Sequence, residues 1–235
     1  MNNIAIIPAR GGSKRIPKKN IIDFLGKPMI AWTIEAAIES KIFSKVIVST
    51  DCEDIAKISR EYGAEVPFLR RSFSDDISAV SPATCDALKQ SEEYWNMNFD
   101  SVTQLMANCP LRTADDIANA MNIFQTKKRD YQISCFKFGW MNPWWSFKLN
   151  EGSDHEFMFP EGIFKKSQDL DDLYCATGSI WIAKSDKLKN SESFYGEGYN
   201  FEPINWVSAV DIDDYDDLSF AKSLKGHQNS KKNII

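Results

Sequence analysis

Ile4-Ala5-Ile6-Ile7 is a continuous apolar run stopped by Pro8, with no polar residue at alternate positions. A strand buried on both faces reads this way, as in a parallel sheet covered by helices. From Met29 the apolar positions Ile30, Ile34, Ala37 and Ile38 recur at helical spacing, which predicts an amphipathic helix over Met29 to Ser40. Lys45-Val46-Ile47-Val48-Ser49 is the second buried strand. Thr50 or Asp51 can cap a helix with Ile55, Ile58 and Tyr62 on one stripe, and Gly63 falls where a left-handed residue closes it. A further helix is expected over Ala83 to Trp95 and a strand over Ser101 to Met106. Thr113-Ala114-Asp115-Asp116 then opens a helix carrying Ile117, Ala120, Met121 and Phe124.

Strands that alternate with helices argue for an α/β fold with a mostly parallel central sheet and helices on both faces. The pattern breaks between Tyr131 and Trp181, where Ile133-Ser134-Cys135-Phe136 leads into an aromatic stretch and a polar, loop-rich run. We expect a small lobe inserted at about 136–178. Regular structure resumes with the strand-like Ser179-Ile180-Trp181-Ile182 and Trp206 to Asp213, then a final helix near Tyr215 to Leu224. The expected organisation is a single domain over 1–225 and a flexible basic tail over 226–235.

Composition narrows the class without naming a function. The 235 residues are 43% hydrophobic and 26% charged, outside the range of disordered, collagen-like or coiled-coil chains. A chain of this length buries roughly 70% of its unfolded surface, enough for a core without covalent staples. Five cysteines at wide intervals, no C-x2-C pair and two histidines argue against a zinc site or a disulfide framework. A net charge of -5 gives no global attraction to nucleic acid. No signal-like start and no apolar run of about 18 residues is present, so neither a nucleic-acid nor a membrane partner is expected, and the expected location is cytoplasmic.

Against this acidic background, Pro8-Ala9-Arg10-Gly11-Gly12-Ser13-Lys14-Arg15-Ile16-Pro17-Lys18-Lys19-Asn20 carries five Arg or Lys in thirteen residues. It follows the first strand directly, at the carboxyl edge where open α/β sheets bind ligands. Two glycines permit close backbone approach, and Ser13 with backbone N–H groups can donate to phosphate oxygens. The spacing is neither a Walker A loop nor G-x-G-x-x-G. Position and charge alone imply a phosphate-binding α/β protein.

The string itself resembles the N-terminal signature of sugar-activating nucleotidyltransferases, specifically the acylneuraminate cytidylyltransferases and related CMP-nonulosonic acid synthetases. The resemblance continues through Val46-Ile47-Val48-Ser49-Thr50-Asp51, Gly63 to Arg70, Cys109-Pro110-Leu111-Arg112-Thr113 and Val210-Asp211-Ile212-Asp213, from residue 4 to about 222. It implies a Rossmann-like nucleotidyltransferase fold whose inserted lobe forms a homodimer. It also implies transfer of CMP from CTP to the anomeric 2-hydroxyl of a nine-carbon sugar acid, with release of pyrophosphate. In the family pattern Arg10 and Lys19 bind the triphosphate, Lys19 next to the α-phosphate, while Ala9, Gly11, Gly12 and Ser13 complete the loop. Asn20 and Arg70 match positions for ribose and cytosine. Arg112 matches a motif arginine, and by residue type alone it reads as a surface ion pair at a helix start.

Asp211 and Asp213, at i and i+2 of a strand-like segment, would face one side and offer two hard oxygen ligands to Mg2+. Two anionic reactants demand neutralisation, so Arg10, Lys19 and a cation on this pair are the expected catalytic groups, with Asp211 or a hydroxide on the metal as base. The acidic residues Asp214, Asp216 and Asp217 read as a solvated helix start.

The sugar side departs from the family. Its glutamine position is Met106, a thioether with little polar capacity, and Asn108 stands nearby as a compensating amide. The arginine that would hold the sugar carboxylate has become Cys175, leaving Lys166 and Gln168 as candidates for the acceptor. A less polar pocket suits pseudaminic, legionaminic or another modified nine-carbon acid, with sialic acid remaining within the acceptor class that the resemblance implies. Two alternatives are a cytidylyltransferase for an eight-carbon acid, whose first loop would read differently from Gly11-Gly12-Ser13-Lys14, and a non-catalytic nucleotide-binding subunit. Trp140 to Phe147 reads as a dimer contact, as lobe core or as a stacking platform for a base, the last disfavoured because only Lys137 and Lys148 flank it, and His155 and His227 read as solvated.

Overall fold

A computed structural model describes residues 1–72 and 80–232, the side chains of 153 and 227–232 excepted. Its centre is a six-stranded sheet. In chain order the elements begin with β1 (Asn3–Pro8), the two-residue strands β2 (Asp23–Phe24) and β3 (Lys27–Pro28), α1 (Met29–Glu39), β4 (Lys45–Ser49), α2 (Glu53–Glu61), α3 (Val80–Trp95) and β5 (Ser101–Gln104). They continue with α4 (Ala114–Thr126), β6 (Tyr131–Lys137), the pair β7 (Phe147–Leu149) and β8 (His155–Phe157), β9 (Tyr174–Lys184), α5 (Ser185–Ser191), β10 (Asn200–Pro203) and α6 (Tyr215–Lys232).

The sheet order is β10-β6-β9-β5-β1-β4. β1 runs parallel to β4 and β5, β10 parallel to β6, and β9 alone runs against its neighbours. Alternate residues of β1 enter different cores. Ala5 and Ile7 pack with Ile30, Ile34, Ile55, Ile117 and Phe124 beneath α1, α2 and α4. Ile4 and Ile6 join Cys85, Leu88 and Leu188 beneath α3 and α5. These four β1 side chains, Ile4 to Ile7, are fully buried, which is why the sequence shows an apolar run where a half-exposed strand would alternate. A third cluster of Ile16, Phe24, Met29, Leu111, Ile212, Leu218 and Ala221 lies under the basic loop and ties it to α6.

Several local expectations change. α2 is capped at Cys52 without a side-chain bond, because Thr50 Oγ1 accepts from the Cys52 amide and Asp51 reaches across to Gly11. Thr113 does cap α4, in a reciprocal box with Asp116. Trp206 to Asp213 is a turn followed by an extended segment and forms no strand; β10 takes the sheet edge instead. Helical backbone continues to Lys232, through most of the stretch read as a tail; residues 233–235 and the His227 side chain lie outside the described residues. Among the described residues no helix is long and apolar enough to cross a membrane.

The interruption between β6 and β9 carries the short β7 and β8 hairpin and several single turns. Among the described residues of 138–173 Gly162 alone is buried, held against Trp144, whose ring leaves no room for a Cβ there. Trp140, Met141, Phe147, Leu149 and Phe164 are exposed. His155 is exposed as well, edge-on to Phe147 and Phe157.

Candidate active site

A cleft of about 650 Å³ opens at the carboxyl edge of β1 and β5. One wall is the loop after β1, contributing Arg10, Ser13, Lys14, Arg15, Lys19 and Asn20, with Arg70 beside it. Val80 and Ala83 of α3 and the turn Met106, Ala107 and Asn108 form a second wall, and Asp211 and Asp213 close the third side. Residues more than 190 positions apart therefore share one cavity because β1 and the segment before α6 converge on the same sheet edge.

Packing and internal bonds shape the basic loop. A Cβ on Gly11 would sit 3.0 Å from Cys52 Cβ, a tight contact that would push the loop and the start of α2 apart by a few tenths of an ångström, whereas Gly12 has open space. The Gly11 amide donates to Asp51 Oδ1 at 2.8 Å, and the Ser13 amide to the Gly11 carbonyl at 3.1 Å. These two N–H groups, expected to face phosphate, are spent inside the protein. Asn20 is buried and donates to the Arg10 carbonyl at 3.0 Å, closing the loop on itself. Ala9 is buried in the core beneath, its amide bonded to the Ser49 carbonyl.

Opposite charges meet at Asp213. Lys19 Nζ lies 2.9 Å from Asp213 Oδ1 and 2.9 Å from the Ile212 carbonyl, and Arg15 lies 2.7 Å from Asp213 Oδ2. Burial works against the Asp213 carboxylate, but bonds and charge from Lys19 and Arg15 outweigh it and hold its pKa below the usual range. Asp211 goes the other way: burial first, then the Asp213 charge, raise it. Arg70 is buried, with its pKa lowered chiefly by desolvation, and its Nε has no hydrogen-bond partner.

Arg112 is not the surface ion pair its residue type suggested. It is 2% exposed and, among the described residues, no carboxylate is bonded to it. Its guanidinium donates to the Ser179 carbonyl, to Thr33 Oγ1 at 2.8 Å and to the Met106 carbonyl at 3.4 Å, and burial pulls its pKa down to about 10. It thereby pins the cleft-lining turn to β9 and α1. Cys109 lies buried close by, its thiol pushed up to about 12 by desolvation and so neutral.

Met106 reaches the cleft but packs on Gly178, where a Cβ would come within 2.8 Å of Met106 Cγ. Beneath it the buried Gln104 amide is 4.0 Å from the Met106 sulfur and accepts from Thr84 at 2.7 Å. Lys166 and Gln168 are exposed on the lobe and are absent from the cleft lining. Arg15, Lys14, Val80 and Ala83 also line the cleft, with no individual role legible in the sequence. The loop's charge could have singled out the first two, but nothing in the chain pattern marks Val80 or Ala83, which α3 alone brings to the cleft.

Among the described residues no cluster of three or more His, Cys, Asp or Glu could hold a metal by itself. Asp211 and Asp213 nevertheless offer oxygen donors only, and the raised Asp211 marks charge that a cation would relieve. Mg2+ is commonly held by one or two carboxylates together with substrate phosphates, so the donor set fits it.

A cationic loop at the carboxyl edge of a mostly parallel α/β sheet, faced by two carboxylates across a cleft, defines an enzyme of the nucleotidyltransferase class. The family described as "Cytidylyltransferase" matches residues 4–228, and the chain belongs to that family. It is 37% identical over 232 residues to a pseudaminic acid cytidylyltransferase of Campylobacter jejuni, covering 95% of this chain and 96% of that one. It is 35% identical to a CMP-N,N'-diacetyllegionaminic acid synthase of Legionella pneumophila, covering 95% and 96%. Among solved structures, CMP:2-keto-3-deoxy-manno-octonic acid synthetase complexed with CTP superposes with a TM-score of 0.72 at 16% identity, covering 97% of this chain and 100% of that one, which shows the shared fold.

Proposed function

We propose that the chain transfers CMP from CTP to the anomeric 2-hydroxyl of a nonulosonic acid and releases pyrophosphate. The observation that carries this reading is the division of a single cleft into a cationic wall, an acidic pair and an apolar patch. The relatives' action on pseudaminic and legionaminic acids supports the acceptor class.

Arg10, Lys14 and Lys19 bind the triphosphate, and Arg70 and Asn20 hold the cytidine side. Lys19 is the group next to the α-phosphate. Its ammonium is fixed by the Ile212 carbonyl, and a phosphate oxygen takes the share of its charge that Asp213 holds in this state. Asp211 and Asp213 would hold Mg2+, which when bound supplies neutralisation of phosphate charge. The acceptor lies against Val80, Ala83 and Met106, a wall suited to methyl or acyl groups and poorly suited to a row of hydroxyls. This favours a modified nine-carbon acid over an unmodified one.

The exposed lobe supports a homodimer, since its aromatic residues find little cover within one chain. Lys166 and Gln168 ride on that lobe outside this chain's cleft, so any part they take in the acceptor site requires a second copy.

The test is pyrophosphate release with CTP and Mg2+ against neuraminic, legionaminic, pseudaminic and eight-carbon acids, with UTP and ATP as controls. Turnover is expected with CTP and one modified nine-carbon acid. Turnover with the eight-carbon acid alone, or CTP binding with silence across the panel, would overturn the acceptor assignment.

A further inference from the structure

We propose that Asn108 is a positioning residue for the carboxylate pair, and that it holds the Asp211 to Asp213 segment through Ile212 rather than binding the acceptor. The proposal rests on reading Asp211 and Asp213 as the cation ligands of the nucleotide site.

Asn108 lines the cleft, yet it is buried and its amide nitrogen donates to the Ile212 carbonyl at 3.2 Å. The bond is returned by the backbone: the Ile212 amide donates to the Asn108 carbonyl at 2.9 Å. Two bonds in opposite directions fix the spacing and the rotation of one peptide against another. Ile212 is also fully buried, its side chain locked among Ile16, Phe24, Met29, Leu111 and Leu218. The residues on either side of it, Asp211 and Asp213, are left to face the cleft.

The Ile212 carbonyl has a second donor. Lys19 Nζ binds it at 2.9 Å and in the same reach binds Asp213 Oδ1. One backbone oxygen therefore sets the distance between the turn at Asn108, the ammonium of Lys19 and the acidic pair. Downstream, Asp217 accepts from the Asp213 and Asp214 amides at 2.9 and 3.1 Å, so the segment is clamped beyond the pair too. Upstream, Arg112 and the Gly178 carbonyl hold Met106 at the start of the turn. Asn108 joins these two stretches directly at the acidic pair, while Thr177 and Ser179 of β9 donate to the Ala209 and Ser208 carbonyls just before it. This segment forms no strand, so its carboxylates are oriented without ladder bonds, by Asn108 together with Lys19 on Ile212 and Asp217 beyond the pair.

Asn108→Leu, close in volume, deletes the amide and keeps the packing; Asn108→Ala is the second variant. Three measurements on the full chain decide the matter. Mn2+ binding in the presence of CTP, read by electron paramagnetic resonance, should weaken about tenfold in both variants, the scale of one lost hydrogen bond. The turnover number should fall while the KM for the sugar acid stays within about twofold of wild type, as expected for a group that does not touch the acceptor. Amide hydrogen exchange across residues 209–214 should quicken in both variants without any ligand present.

A rise in sugar-acid KM of about tenfold with Mn2+ binding unchanged would make Asn108 an acceptor ligand and overturn the proposal. Unchanged exchange across 209–214 would overturn it as well. If wild type itself binds no Mn2+ with CTP, the cation reading falls, and the exchange measurement still decides whether Asn108 holds the segment.

Discussion

In the cleft, Lys19 keeps only 16% of its side chain exposed and spends its ammonium on Ile212 and Asp213; in the lobe, Phe164 is 96% exposed. The cleft puts polar groups out of water and bonds them internally, Asn20 on Arg10, Asn108 on Ile212, Arg112 on Ser179 and Thr33, while among the described residues Arg70 Nε and Arg112 Nε are left unpartnered. The lobe leaves apolar groups in water around a hairpin of three residues per strand. Buried polar bonds set positions that a reaction can use, because each lost bond strands a desolvated group. Exposed aromatics are capacity for association, because their burial lies ahead of the folded monomer.

The comparison is broken most sharply at Lys19. Lys19→Ala should lower the turnover number about 10²–10³-fold, the usual scale for losing one preorganised charge donor, with a much smaller change in CTP dissociation constant. Stopped-flow turnover beside equilibrium CTP titration separates the two, and equal losses in both would leave Lys19 a plain binding residue.

Arg112 comes next, as the buried cation on which the cleft's second wall hangs. Arg112→Ala empties a buried site and removes the guanidinium bonds to the Ser179 carbonyl and to Thr33, so unfolding in urea should show a loss of about 2–4 kcal/mol. A loss under about 0.5 kcal/mol would mean that the desolvation cost of the charge cancels its bonds.

The lobe should give the smallest effect on stability. Leu149→Glu replaces an exposed apolar side chain and should change monomer stability by no more than about 0.5 kcal/mol. In sedimentation equilibrium the same variant should be monomeric where wild type is dimeric. A wild type that is already monomeric at assay concentrations removes the homodimer proposal.

Legibility in the chain followed the same division. β1, α1, β4 and α4 could be read because their signals are local: unbroken apolar runs, a 3.6-residue stripe and the Thr113 cap. β10 was missed because Asn200 to Pro203 is an edge strand with exposed positions, so no buried face marks it. Trp206 to Asp213 imitated a strand because Val207, Val210 and Ile212 meet core from turns instead of from a ladder. In the site, Arg10, Lys19, Asn20, Arg70, Asp211 and Asp213 were found by motif and do share one cleft. Met106 was found as well, but its packing on Gly178 could not be.

By itself the sequence determined the α/β class, the basic loop and its place at the end of β1, since periodicity and local charge are written in neighbouring residues. Only the tertiary structure decided that Asp213 faces Lys19 and Arg15, that Arg112 is buried, that two loop amides are already used, and that Asn108 meets Ile212. Those facts depend on contacts between segments as much as 194 residues apart, and no local propensity encodes which carbonyl a folded chain brings to a distant donor.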